Sequence, residues 1–172
     1  MNERDARQLV ESFATTADEV LTACGEVLPV MFFNGKSGMT TLDLRDMFTG
    51  PREQKHKRKN AGTSAIRHIL KQEDADWCLL IVEAWSVEIK PPKGADLDAT
   101  RDKIPADLED YQGRVEVVWF QFEDQELGQI LAKRPIVREG DKPRLGPIEW
   151  AGKMKSSEGR MVGLLPQRGR PQ

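Results

Sequence analysis

The sequence predicts an α+β fold: an antiparallel sheet of about five to six strands with two helices packed on it. Three observations carry this. Residues 76–90 read DWCLLIVEAWSVEIK, and Trp77 to Val82 are apolar without interruption. A short, unbroken apolar run with aromatic and β-branched residues is the pattern of a strand covered on both faces. Near the N-terminus, Ala6, Leu9, Val10, Phe13, Ala17, Val20, Leu21 and Cys24 recur at three- and four-residue spacing, which is one face of a helix. The order of elements is helix, two-strand hairpin, helix, then three or more strands joined by turns, in a helix-hairpin-helix-meander arrangement.

The first helix spans about Glu3 to Cys24, with Asn2 or Asp5 as its cap and Gly25 as its stop. Its stripe is expected to pack on the sheet. VLPVMFF (27–33) and MTTLDLRDMF (39–48) then flank the turn Asn34-Gly35-Lys36-Ser37-Gly38 and form a hairpin, with Pro29 near a strand start or on an edge. The turn lacks the GxxxxGK[ST] pattern of a phosphate loop. Thr49-Gly50-Pro51 breaks the chain. The basic run Lys55-His56-Lys57-Arg58-Lys59 is placed ahead of a second helix capped by Asn60, whose buried side is Ala65, Ile66, Ile69 and Leu70. Cations just before a helix N-terminus oppose its dipole, and a phosphate or acidic partner there would meet lysines and backbone N–H groups together. The plainer reading of such a run is a solvated loop.

The central strand alternates its side chains between two faces. Trp77, Leu79, Ile81, Glu83, Trp85, Val87 and Ile89 share one; Cys78, Leu80, Val82, Ala84, Ser86 and Glu88 share the other. Glu83 thus sits between Ile81 and Trp85, where a carboxylate acquires a raised pKa or a cationic partner. Such a group serves either as a general acid or base or as a rim residue in an ion pair, and the structural role is the commoner. Pro91-Pro92-Lys93-Gly94 ends the strand, and the polar stretch to Gly113 reads as a flexible flap. It has no EF-hand spacing. Arg114 to Glu123 and Leu127 to Val137 are further strands, Leu145 to Trp150 a short last one. Residues 1–152 therefore form one domain, and 153–172 a polar, flexible tail.

Composition is that of an ordinary hydrated surface, with 38% apolar and 31% charged residues. The net charge of −2 gives no global pull toward nucleic acid or anionic lipid. No run approaches the roughly 20 apolar residues of a membrane span, and the charged MNERDARQL has no signal-peptide core. Cys24 and Cys78 are too few for a disulfide framework. A cytoplasmic protein is expected. There is no HExxH, paired CxxC, GxSxG or GxGxxG, and His56 and His68 are the only histidines, so neither a metal nor a cofactor is expected.

The element order resembles that of the roadblock and profilin-like domains, which are mostly interaction modules. Glu83-Ala84-Trp85, followed by a polar stretch and Arg114-Val115-Glu116, is similar to a group of uncharacterised bacterial and phage proteins over about residues 65–125. That similarity implies no activity. Three readings of function follow. The first is a non-catalytic cytoplasmic interaction or accessory protein, with a protein partner or a second copy of itself paired along a sheet edge. The second is a nucleic-acid-binding accessory protein using Lys55, Lys57, Arg58 and Lys59. The third is a hydrolase-like enzyme centred on Glu83. The candidate binding residues are the four cations together with Glu83, Trp85 and Arg114.

Overall fold

The computed structural model describes residues 1–49, 51, 54–87, 112–151 and 163–165, and at Lys55 and His56 the backbone only. Helix α1 (Glu3–Cys24) is followed by strands β1 (Val30–Gly35) and β2 (Gly38–Asp43), a single-turn helix α2 (Arg45–Phe48) and helix α3 (Lys55–Gln72). Strands β3 (Trp77–Ser86), β4 (Val115–Asp124) and β5 (Gly128–Val137) come next, with short β6 (Arg144–Leu145) and β7 (Glu149–Trp150). The sheet runs β2-β1-β3-β4-β5-β6, with β7 also on β5, and every pairing is antiparallel. The fold is α+β, as the sequence predicts, with a third, one-turn helix.

The alternation along β3 sorts the core into two layers. Trp77, Leu79 and Ile81 join Val118, Phe120 and Phe122 of β4 beneath Ala6, Val10, Ala14, Ala17 and Leu21 of α1. Three alanines on that buried stripe let the helix axis approach the large rings closely. Cys78 and Leu80 point the other way, packing with Met31 and Phe33 of β1 and with Ile66 and Leu70 of α3. Asn2 caps α1 by accepting from the Asp5 N–H at 2.9 Å. Gly25 ends it at φ 84°, a left-handed conformation that glycine adopts without a side-chain clash.

Two boundaries differ from the sequence prediction, each for a local reason. MTTLDLRDMF is not one strand. Asp43 accepts from the Arg45 N–H at 2.9 Å and from its guanidinium at 2.7 Å, turning the chain into α2 and burying Leu44 and Met47. The basic run does not precede α3 but is its first turn, and Asn60 lies inside the helix rather than capping it. Gln54 is the N-cap and makes no side-chain capping bond. The longer helix places the Lys59 ammonium 4.8 Å from the Phe48 ring centroid. It also sets Gly62 against Met47, where a Cβ would come within 2.5 Å of that side chain. Both bring α3 against α2, and the Lys59–Phe48 contact uses a residue of the turn ahead of Asn60.

The 91–113 flap and the end of the predicted central strand fall largely on residues 88–111, outside those described, as does most of the 153–172 tail. Within that tail, however, Gly163 to Leu165 are part of the core. Leu164 and Leu165 are buried in the α3-side layer. Their N–H groups donate to the two carboxylate oxygens of Glu123 at 3.1 and 3.0 Å. Glu123 is 8% exposed and stands opposite Cys78 in the β3–β4 register. A charged carboxylate in an apolar layer costs free energy unless hydrogen-bonded, and consecutive backbone amides supply that bonding.

Truncating either side of this clasp is expected to destabilise the fold. Leu164→Ala should cost about 2–5 kcal/mol through loss of buried apolar volume. Glu123→Ala should cost about 1–3 kcal/mol for each amide left unpaired. Urea unfolding monitored by tryptophan fluorescence checks both; midpoints unchanged from wild type would show that the segment contributes nothing to the core.

Candidate functional site

Glu83 lies on the α1 side of β3, opposite Val118 in the register. It is half-buried, and its Oε1 accepts a 2.5 Å hydrogen bond from the Val27 N–H, in the connection between α1 and β1. Glu116 lies two register steps along, opposite Trp85, and is held by Arg138 through bonds of 2.7 and 3.0 Å. Arg138 also donates to the Gly25 carbonyl at 3.4 Å, just past the end of α1. The corner therefore joins a helix terminus, the following loop and the ends of two strands. Burial pushes the Glu83 carboxyl above its usual range; the Val27 N–H opposes that shift, Glu116 and Glu26 add to it, and Arg138 counters them. The bond to Glu116 is the largest cause of the raised Arg138 pKa.

Through Oε1, Glu83 ties β3 to the connection between α1 and β1. Both histidines are on α3, on the opposite side of the sheet. Trp85 is 39% exposed, with the Arg114 guanidinium 4.3 Å from its ring centroid. Glu83, Trp85 and Arg114 are thus brought to one end of the sheet. Lys57, Arg58 and Lys59 are on α3, packed on the other face. Among the described residues no group of three or more metal-ligating side chains occurs, and no helix is long and apolar enough to cross a membrane.

The second cluster is α3 itself. Its 18 residues, KHKRKNAGTSAIRHILKQ, contain six Lys or Arg, both histidines of the chain and no acid. The remaining 20 Lys and Arg face all 28 Asp and Glu, so the rest of the chain carries a balance of −8. Inward positions Thr63, Ile66 and Leu70 are buried. Lys57, Asn60, Ala61, Ser64, Ala65, Arg67, His68 and Lys71 are exposed, forming a stripe at three- and four-residue spacing. Arg58 turns back to donate to the Pro51 carbonyl at 3.0 Å. At the other end Lys36, from the β1–β2 turn, donates to the Gln72 carbonyl at 3.3 Å and adds a cation beside Lys71. A cleft of about 490 Å³ at the far end of β3 is lined by Asp76, Asp124 and Glu126 among others, and is acidic. The six cations of α3 thus share one helix with no acid, whereas elsewhere Lys and Arg pair with acids, as in Arg7–Glu3, Arg45–Asp43, Lys133–Glu149 and Arg138–Glu116.

Inspection of the basic run alone misses Asn60, Ser64, Arg67, His68 and Lys71. The available signal was the helical period of exposed positions across residues 57–71, together with the absence of any acid. No family model, curated protein or solved structure matches the chain. The site is therefore argued from its own residues.

A Glu83 substitution series tests the corner. Glu83→Ala removes the acceptor of a partly buried amide and should cost about 1–3 kcal/mol. Glu83→Gln keeps an acceptor and should be tolerated. Because the folded-state pKa is raised, the wild-type contribution of Glu83 is fully present below the ordinary glutamate value of 4.5 and lost as pH rises through the higher folded value. The stability of Glu83→Gln relative to wild type should therefore increase as pH rises above about 4.5. Urea midpoints at several pH values give the comparison, and an opposite trend would refute the assignment.

Proposed function

We propose that this chain is a non-catalytic, cytoplasmic accessory protein that binds nucleic acid through the outward face of α3. The observation that carries this reading is the charge segregation: six Lys or Arg without one acid on a single helix, within a chain whose net charge is −2. A cationic face attracts phosphates by releasing condensed counterions, and the acidic remainder orients the approach. The α3 N-terminus supports the same reading. Its first turn holds cations and no acid, against the helix dipole. Bound phosphate reverses that local penalty and meets the free N–H groups of the first turn. Glu83, occupied by the Val27 N–H, favours a molecule without catalysis.

Fluorescence anisotropy with labelled oligonucleotides tests this. Binding is expected at low salt, with log K falling against log salt at a slope of about −3 to −4 if about four phosphates are contacted. Changing Lys57, Arg67 and Lys71 together to Ala should weaken binding and flatten that slope by about 0.9 per lost contact. Absence of binding at low salt, affinity unaltered by the triple substitution, or equal competition by polyglutamate would each overturn the reading. The last outcome would identify an acidic protein as the better partner.

A further inference from the structure

From the arrangement of side chains along α3 we infer that the nucleic acid is duplex DNA, with α3 lying in its major groove. The inference rests on the nucleic-acid reading above and narrows it to one polymer. The outward stripe has three parts. Lys57 in the first turn supplies an exposed cation at one end; Arg67, His68 and Lys71 supply the other, beside Lys36. Between them are Asn60, Ala61, Ser64 and Ala65, all small, uncharged and exposed. Two cationic poles therefore flank a shallow saddle.

Dimensions favour a groove over a flat phosphate surface. At 1.5 Å rise per residue, Lys57 and Lys71 are about 21 Å apart along the axis. A helix is about 10–12 Å across, and the B-DNA major groove is about 12 Å wide. A helix seated along the groove brings its saddle against the base edges, and because the groove curves around the duplex the cationic ends of the straight helix rise toward the flanking phosphates. Short side chains at the saddle let the helix axis approach the base edges closely. Asn60 and Ser64 carry hydrogen-bonding groups suited to base edges, and the Ala61 and Ala65 methyls suit the methyl of thymine.

The same features disfavour the other polymers. The major groove of an RNA duplex is deep and too narrow for side chains to read. Single strands are held by stacking bases on aromatic rings, and α3 contains no Phe, Tyr or Trp. The inner side of the helix is already committed to Met47 and to the core layer that includes Leu164, so the exposed stripe is the surface presented for docking.

The test compares the full chain's affinity for a DNA duplex of roughly two helical turns, an RNA duplex of the same sequence and the single DNA strand, all by anisotropy at one low salt concentration. The DNA duplex is expected to bind about tenfold or more tighter than either alternative. Ser64→Trp, which fills the saddle without removing a cation, should abolish that preference while circular dichroism and the unfolding midpoint remain those of wild type. Ala61→Phe repeats the test on the same saddle if the first variant is unstable. Equal binding of all three polymers, preference for RNA or the single strand, or a folded saddle variant with undiminished DNA preference would overturn groove docking while leaving the nucleic-acid reading intact. Binding to none of the three would overturn both.

Discussion

The constraint on which the rest depends is that β3 has no solvent face over its first half. Trp77 to Ile81 are all buried, odd residues toward α1 and even residues toward α3. A strand of this kind needs partners on both edges to satisfy its backbone and a helix above and below to cover its side chains. β1 and β4 supply the edges. Among the described residues α1, whose alanines allow close approach, covers one face together with Val27. The other face is shared by α2, α3 and the Gly163–Leu165 segment. That division explains why a carboxylate is tolerated at Glu123: its position accepts the amides of the segment that completes the layer.

What was legible in the sequence follows from this constraint. Residues whose environment repeats along the chain announce themselves: the α1 stripe sets both its ends at Glu3 and Cys24, and the two faces of β3 are assigned correctly by alternation. Features decided by a single long-range bond do not. MTTLDLRDMF carries a strand-like start, and only the Asp43 carboxylate on the Arg45 N–H shows where it stops. Leu164 and Leu165 sit in a polar, glycine-containing tail, and nothing local shows that Glu123, some forty residues away, accepts from their amides.

The candidate sites divide the same way. Glu83 stands out in the sequence because a charge interrupts an apolar run. Its role was hidden, because the Val27 N–H that engages it comes from a loop 56 residues away. For α3 the conspicuous cations drew attention to a short stretch, Lys55 to Lys59. The helix continues their pattern at exposed positions through Lys71 with small residues between. Asn60 was misplaced as a cap because it is a favoured capping residue just after a charge run. The helix begins five residues earlier, at Lys55, and Lys59 in that added turn meets the Phe48 ring.

Net charge was the least informative quantity, for a physical reason. At physiological ionic strength charges are screened over about 8 Å, so a ligand beside α3 is governed by that helix and not by the acids beyond it. A balance of −2 can therefore conceal a helix of +6 set against −8 elsewhere. Packing permits the segregation because α3 uses only its inner stripe, Thr63, Ile66 and Leu70, to hold the sheet. Its outer stripe is exposed, and stability alone would favour acids in the first turn and mixed charges thereafter. The helix departs from that optimum in both respects, with cations in its first turn and no acid along its length. A fold that keeps such cations where its own helix dipole opposes them has a helix better suited to a phosphate-bearing partner than to water.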